Sequence, residues 1–309
     1  MKASTGNVAR SVSRRQLLLG AAAAAATSGW RHLGRAAPAA RHDEADSAAA
    51  RSALAAAAQY LWRMQDADGR WHSPQYGVLR SGQALTPFVL DALLAVPEAA
   101  APRDGVPRAL EFIRRHVANG RLGHFDPDVL EYPVYSTAYA IRCLASAGVA
   151  SDQSLAEKLR TFLANAQYGP DHGIGAENPA LGAWGFDAPP GDGRAGHLDL
   201  AHTRRALQAL RCGDRRWGVV ARDRSEVEAR AQAFLRVVQK HPEATAHPRF
   251  PEGARPLAPP PYDGGIYYSP TAIDANKGGW GGGGAPHWRS YATATCDGIL
   301  ALLAAGVPR

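Results

Sequence analysis

Tyr60-Leu61-Trp62-Arg63-Met64-Gln65-Asp66-Ala67-Asp68-Gly69-Arg70-Trp71 is the stretch from which the fold is read. Tyr60 and Leu61 share a helical face with Gln65, which is followed by an Asp/Gly turn and a tryptophan. Upstream, Leu54, Ala57, Ala58, Leu61 and Met64 continue one apolar stripe, so the spacing predicts a helix over 49–65. Gln65 is expected to close the last turn through its side-chain amide, with Gly69 reversing the chain and Trp71 folding back onto the helix end.

The same ingredients return. Phe162-Leu163 with Gln167 and Phe234-Leu235 with Gln239 repeat the first helix, and Phe112-Ile113 is a degenerate copy with Val117 at the glutamine position. A Gly and aromatic-rich connection follows each copy: Gly69 to Trp71, Gly123-His124-Phe125, Gly182 to Phe186, and Gly264 to Tyr268. A second helix then carries Thr86, Leu90 and Leu93; Thr137, Ile141 and Leu144; Thr203, Leu207 and Leu210; or Thr295, Ile299 and Leu302. Four threonines with the same apolar partners one and two turns on imply an internally repeated helix, Gly-aromatic turn, helix unit. A lone helical hairpin cannot bury both faces, so such units stack.

The aromatic-Leu-x3-Gln run leading to Gly-x-Trp resembles the repeat of squalene-hopene and oxidosqualene cyclases. The resemblance covers residues 50 to 306 and implies an all-α fold, the α/α toroid of terpenoid cyclases and protein prenyltransferases, with second helices inside and first helices outside. That family closes its toroid with six hairpins. Four are found here, so the toroid is expected to be incomplete or to have its open edge covered by a partner, most simply a second copy.

Ser13-Arg14-Arg15-Gln16-Leu17-Leu18-Leu19, an apolar run to Thr27 and Ala37-Pro38-Ala39 read as a twin-arginine export signal over 1–39 with a small-residue cleavage site. Residues 40–48 read as a linker, and 49–309 as the repeat domain. The run is too short for a lasting membrane anchor. The expected destination is the periplasm or the extracellular space. The chain has 35 basic and 28 acidic residues, but Lys2, Arg10, Arg14, Arg15, Arg31 and Arg35 all lie in the leader, which has no acid. The mature chain is therefore nearly neutral, without a nucleic-acid footprint. Arg204, Arg205, Arg211, Arg215 and Arg216 read as solvated helix surface. Cys143, Cys212 and Cys296 lack metal-ligand spacing and read as small buried hydrophobes, with a Cys143 to Cys212 bridge as the alternative.

In squalene-hopene cyclases the proton donor belongs to an Asp-x-Asp-Asp-Thr motif opening an inner helix. The similar stretch here is Asp199-Leu200-Ala201-His202-Thr203, where Ala201 replaces the protonating acid and His202 its neighbour. Asp199 then reads as a helix N-cap. Asp126 and Asp128, beside Phe125, are candidates for a displaced acid, and His202 for a base or hydrogen-bonding residue. The zinc ligands of the prenyltransferases are missing: Arg289 and Tyr291 fall at their positions, and Cys296 and Asp297 diverge on a helix. No cofactor or metal is expected. Tyr135, Tyr139, Trp184, Phe186, Tyr267, Trp280 and Trp288 are the aromatics expected to line a cavity for an isoprenoid or other elongated hydrophobic ligand.

Two classes of function follow. The first is a member of this family lacking cyclase and prenyltransferase chemistry, which binds a hydrophobic ligand or a protein partner. The second is an enzyme, with cyclisation of an isoprenoid ahead of toroidal polysaccharide lyase chemistry, for which Arg289 or Lys277 would be the base.

Overall fold

The computed structural model describes residues 44–96, 101–123, 131–218, 224–246, 261–281 and 287–308. The chain divides into two units, Met1–Ala48 and Ala49–Arg309. The second is mostly helical. Among the described residues there are eight α-helices: α1 (Glu44–Arg63), α2 (Leu85–Leu94), α3 (Gly105–His116), α4 (Pro133–Ala147), α5 (Gln153–Asn165), α6 (Leu200–Trp217), α7 (Arg224–Val238) and α8 (Ala292–Ala304). Two short antiparallel pairs complete it: β1 (Trp184–Gly185) with β2 (Leu198–Asp199), and β3 (Trp280–Gly281) with β4 (His287–Trp288). No described helix is long and apolar enough to cross a membrane. Helix α1 begins inside the stretch expected to be a linker, because Ala, Glu and Asp are as well suited to a first helical turn as to a solvated tether.

The eight helices are the four expected pairs. The second helices pack side by side in chain order, α2 on α4, α4 on α6 and α6 on α8, while α3 packs on α2 and α4, and α5 on α4 and α6. Thr86, Leu90, Thr137, Ile141, Leu144, Thr203 and Leu207 are buried as their spacing predicts. In α8 the pattern breaks: Ile299 is 51% exposed.

One set of hydrogen bonds recurs in every pair. The threonine near the start of each second helix accepts the backbone N–H of the residue that closes the preceding turn: Trp71 to Thr86 at 2.9 Å, Leu122 to Thr137 at 3.0 Å, Trp184 to Thr203 at 3.1 Å and Ile266 to Thr295 at 3.1 Å. Two residues before each of these stands a glycine of positive φ: Gly69, Gly120, Gly182 and Gly264. This corrects the second connection, whose turn glycine is Gly120 and not Gly123; His124 and Phe125 lie outside the described residues. Trp71 and Trp184 also donate their indole N–H to the carbonyls of Leu61 and Leu163 in the helix before, at 2.6 and 2.7 Å.

The glutamine does more than close its own helix. Gln65 Nε2 donates to Gly69 O at 3.0 Å and to Gly105 O, in the first turn of α3, at 2.9 Å, while its Oε1 accepts from Arg108. Gln167 does the same with Gly182 O, Val227 O and Arg230. Each clasp ties a helix end to its own turn and to the next pair, satisfying carbonyls that packing would otherwise strand. The degenerate copy loses both halves together, with Val117 for the glutamine and Lys158 at the arginine position.

The turn glycines make this approach possible. A Cβ on Gly69 would lie 2.3 Å from Arg108 O, and one on Gly182 1.8 Å from Arg230 O. Gly182→Ala therefore combines a left-handed φ of 84° with a backbone collision. It is expected to destabilise the domain by more than about 2 kcal/mol in urea unfolding. Gly191 has a φ of 79° but open space around its Cα, so Gly191→Ala should cost only about 1 kcal/mol. Equal losses would show that φ alone, and not the close approach, sets the requirement.

Candidate functional site

Helix α6 opens with the residues that distinguish its repeat. Asp199 is its N-cap, with extended backbone, and accepts His202 N–H at 2.9 Å, as the sequence implies. The same carboxylate takes the imidazole: His202 Nδ1 lies 3.0 and 2.9 Å from its two oxygens. His197 Nε2 approaches Asp199 Oδ2 at 3.3 Å, and Tyr268 lies near the same carboxylate. Asp199 is 1% exposed. Burial pushes its carboxyl upward, but the charge of His202 and the hydrogen bonds from His197 and His202 outweigh that and leave it well below the usual carboxylate range. Asp199 is thus ionised at neutral pH, and burial with the adjacent carboxylate holds Tyr268 as a phenol by raising its pKa.

Because Asp199 occupies Nδ1, the second nitrogen of His202 is the one left for chemistry. His202 is 6% exposed, and its Nε2 is buried with no hydrogen-bond partner. Aromatic rings surround it: Phe186 at 5.1 Å, Tyr135 at 5.4 Å and Tyr132 at 6.2 Å between centroids. Phe186 in turn stacks on His197 at 4.0 Å, which braces both histidines of the Asp199 pair.

His202 lines an apolar cleft of about 300 Å³ with Leu79, Ala84, Leu85, Phe88, Tyr132 and Tyr135. Phe88 contacts Tyr139 edge-on at 5.2 Å and lies 6.4 Å from Tyr135, so α2, α4 and α6 each contribute an aromatic or imidazole ring. Tyr132 is the N-cap of α4 and adopts a left-handed backbone, φ 51°, immediately before Pro133. That conformation is costly for a bulky residue and doubly so ahead of proline. It is held by the ring contact of Tyr132 with Phe186 at 4.9 Å and by the hydrogen bond from Val134 N to Phe186 O at 3.1 Å.

Of the residues singled out in the sequence, Asp199, His202, Tyr135, Tyr139 and Phe186 are brought together here. Trp184 and Tyr267 are fully buried in the core and do not line the cleft. Trp280 and Trp288 pack edge to face on each other across β3 and β4, at 4.7 Å. Asp126 and Asp128 lie outside the described residues. Phe88, Tyr132, His197 and Tyr268 are additions that the sequence reading missed. Phe88 was within reach, since it sits two residues after Thr86 on the side of α2 away from Leu90. Tyr132 and Tyr268 join the site from distant segments, and His197 lies two residues before Asp199 in an irregular connection.

Among the described residues no group of three or more His, Cys, Asp and Glu side chains is placed to hold a metal ion. Asp297 pairs with Arg204 at 3.2 Å, and the neighbouring Cys296 is exposed. The three cysteines are free thiols; Cys143 is fully buried, with Sγ 3.2 Å from Pro87 O, and burial pushes its pKa up. The arginines of α6 are not one solvated patch either: Arg204 is buried, while Arg215 and Arg216 are exposed.

A carboxylate with a depressed folded pKa stabilises the fold above the unfolded value and loses that contribution as pH falls through the folded one. Asp199→Asn keeps a capping side chain but removes the charge, and should cost about 1–3 kcal/mol at neutral pH. In urea unfolding across a pH series, the gap to the parent chain should narrow below about pH 4. A gap that stays constant on acidification would mean that Asp199 acts through packing alone.

The chain matches no protein-family model, no curated protein and no solved structure, so its function has to be read from this geometry.

Proposed function

We propose that the chain is an exported repeat protein of the squalene-cyclase and prenyltransferase-like type, its four helix pairs arranged as an incomplete α/α toroid. In this reading it binds a hydrophobic, isoprenoid-like ligand in the aromatic cleft and lacks cyclase and prenyltransferase chemistry. The observation that carries the ligand is the cleft itself: an opening walled by Leu79, Leu85, Phe88, Tyr132 and Tyr135, with a buried nitrogen, His202 Nε2, that has no partner among the described residues. An apolar enclosure with few, fixed polar groups is what a small hydrophobic molecule with one polar function requires. Ala201 at the position of the protonating acid supports binding over cyclisation.

A second reading is favoured by the Asp199–His202 pair. A carboxylate that fixes one imidazole nitrogen and leaves the other facing an aromatic enclosure is also the arrangement of a general base, or of a general acid once protonated. The rings around it would stabilise an adjacent cation.

Native mass spectrometry of the mature chain from its own host, with extraction of what it carries, is expected to find a lipid-type molecule. Phe88→Ala combined with Tyr135→Ala should lower occupancy about tenfold or more. A chain that is ligand-free, or equally loaded after both substitutions, would remove the binding reading. Conversion of the extracted molecule by the parent chain but not by His202→Gln, with occupancy retained, would select the enzyme.

A further inference from the structure

Arg205 lies on α6 one turn beyond His202 and shares Tyr135 with it as a neighbour. Its guanidinium carbon is 5.4 Å from the Tyr139 ring centroid and 6.0 Å from that of Tyr135, and its Nε is buried without an acceptor. A side-chain contact is made to Gln208 Oε1, at the long distance of 3.5 Å. The neighbouring cations are compensated: Arg142 is bidentate to Asp91 at 2.9 Å through both oxygens, and Arg204 pairs with Asp297. Asp199 is already committed to His202 and His197. Burial, then the charge of Arg205, lowers the pKa of Arg204, so the two guanidinia repel each other, and Asp297 offsets this only for Arg204.

The rings of Tyr135 and Tyr139 stabilise Arg205 electrostatically, but a π face does not satisfy a fork of N–H donors. The two hydroxyls lie 3.5 Å apart, a weak contact that leaves a donor to spare. Burial, with the hydrogen bond shared with Tyr135, raises the pKa of Tyr139 and keeps it a phenol. The guanidinium therefore sits against Tyr135, which lines the apolar cleft together with His202, and it brings a positive charge to that wall.

We infer that the ligand of the cleft is a hydrocarbon with a carboxylate head. The chain lies against Leu85, Phe88 and Tyr132, and the head is received by Arg205 with the tyrosine hydroxyls at its side. A carboxylate matches the planar fork of arginine and neutralises a single charge; a diphosphate would bring more negative charge than this surface can compensate. The inference rests on the binding reading above and specifies its ligand class.

Calorimetric titration of the delipidated mature chain with decanoate and with decanol tests it. The acid is expected to bind about ten- to a hundredfold more tightly than the alcohol. Arg205→Gln should abolish that preference while leaving the affinity for decanol unchanged, and Arg205→Lys, which keeps the charge without the fork, should retain part of it. Equal affinity for acid and alcohol in the parent chain, with both binding, would overturn the carboxylate and leave the hydrophobic cleft standing. A preference that survives in Arg205→Gln would overturn the role of Arg205. Binding of neither compound would remove the cleft reading and this inference together.

Discussion

Everything in this domain depends on letting one helix end approach the next without stranding a backbone group. The turn glycine removes the Cβ that would collide with the following first helix, and the threonine hydroxyl takes the amide that the turn exposes. Where it is present, the glutamine amide ties the turn carbonyl to the first turn of the neighbouring helix. A buried, unpaired amide or carbonyl costs about 1–3 kcal/mol, comparable to a sizeable part of a domain's net stability. Stacking four pairs would multiply that cost, and the recurring hydrogen bonds prevent it at each step.

Repetition also isolates what is not repeated. Relative to the threonine, the position of Asp199 is held by Gly82, Pro133 and Tyr291 in the other pairs, and that of His202 by Leu85, Ser136 and Ala294. None of those residues can form a charged pair. The scaffold function of α6 is discharged by Thr203 and Trp184, which make the same bonds as Thr86 and Trp71. Asp199 and His202 are then available to build a site on a helix that would be in place without them. Rigidity at the site follows, since the imidazole is fixed by a carboxylate that is itself the helix cap.

This organisation explains what was legible in the sequence. Thr86, Thr137, Thr203 and Thr295 mark the second helices because one hydrogen bond demands a short hydroxyl side chain at one position, and the apolar period follows from burial. Gln65 marked a helix end, but its reach to Gly105 could not be seen, because that contact joins two pairs. The second turn was misplaced at Gly123 because its neighbours, His124 and Phe125, imitate the aromatic that Trp71 and Trp184 supply, while the true turn closes on Leu122. Trp184 was taken for a cavity residue because its indole is indistinguishable in sequence from one that faces a ligand. Its N–H is committed to Leu163 O. Tyr268 comes to Asp199 from a loop distant in sequence, and His197 stands two residues before it in a connection that no periodicity constrains.

The costs the fold leaves standing then fall into two kinds. Indole nitrogens such as those of Trp62 and Trp288 lack partners, but their side chains belong to the apolar core, where burial of a large ring outweighs one lost bond. At the cleft the balance is different. His202 buries a polar nitrogen beside an opening, Tyr132 sits in a left-handed conformation worth about 1–3 kcal/mol of strain, and Arg205 buries an Nε beside two rings. Leucine, serine and alanine serve at the position of His202 in the other pairs, and phenylalanine, tyrosine and aspartate at that of Arg205. Strain and unsatisfied donors gathered in one place, on a scaffold whose turn amides are taken by threonine hydroxyls, are the features on which the proposed ligand site rests.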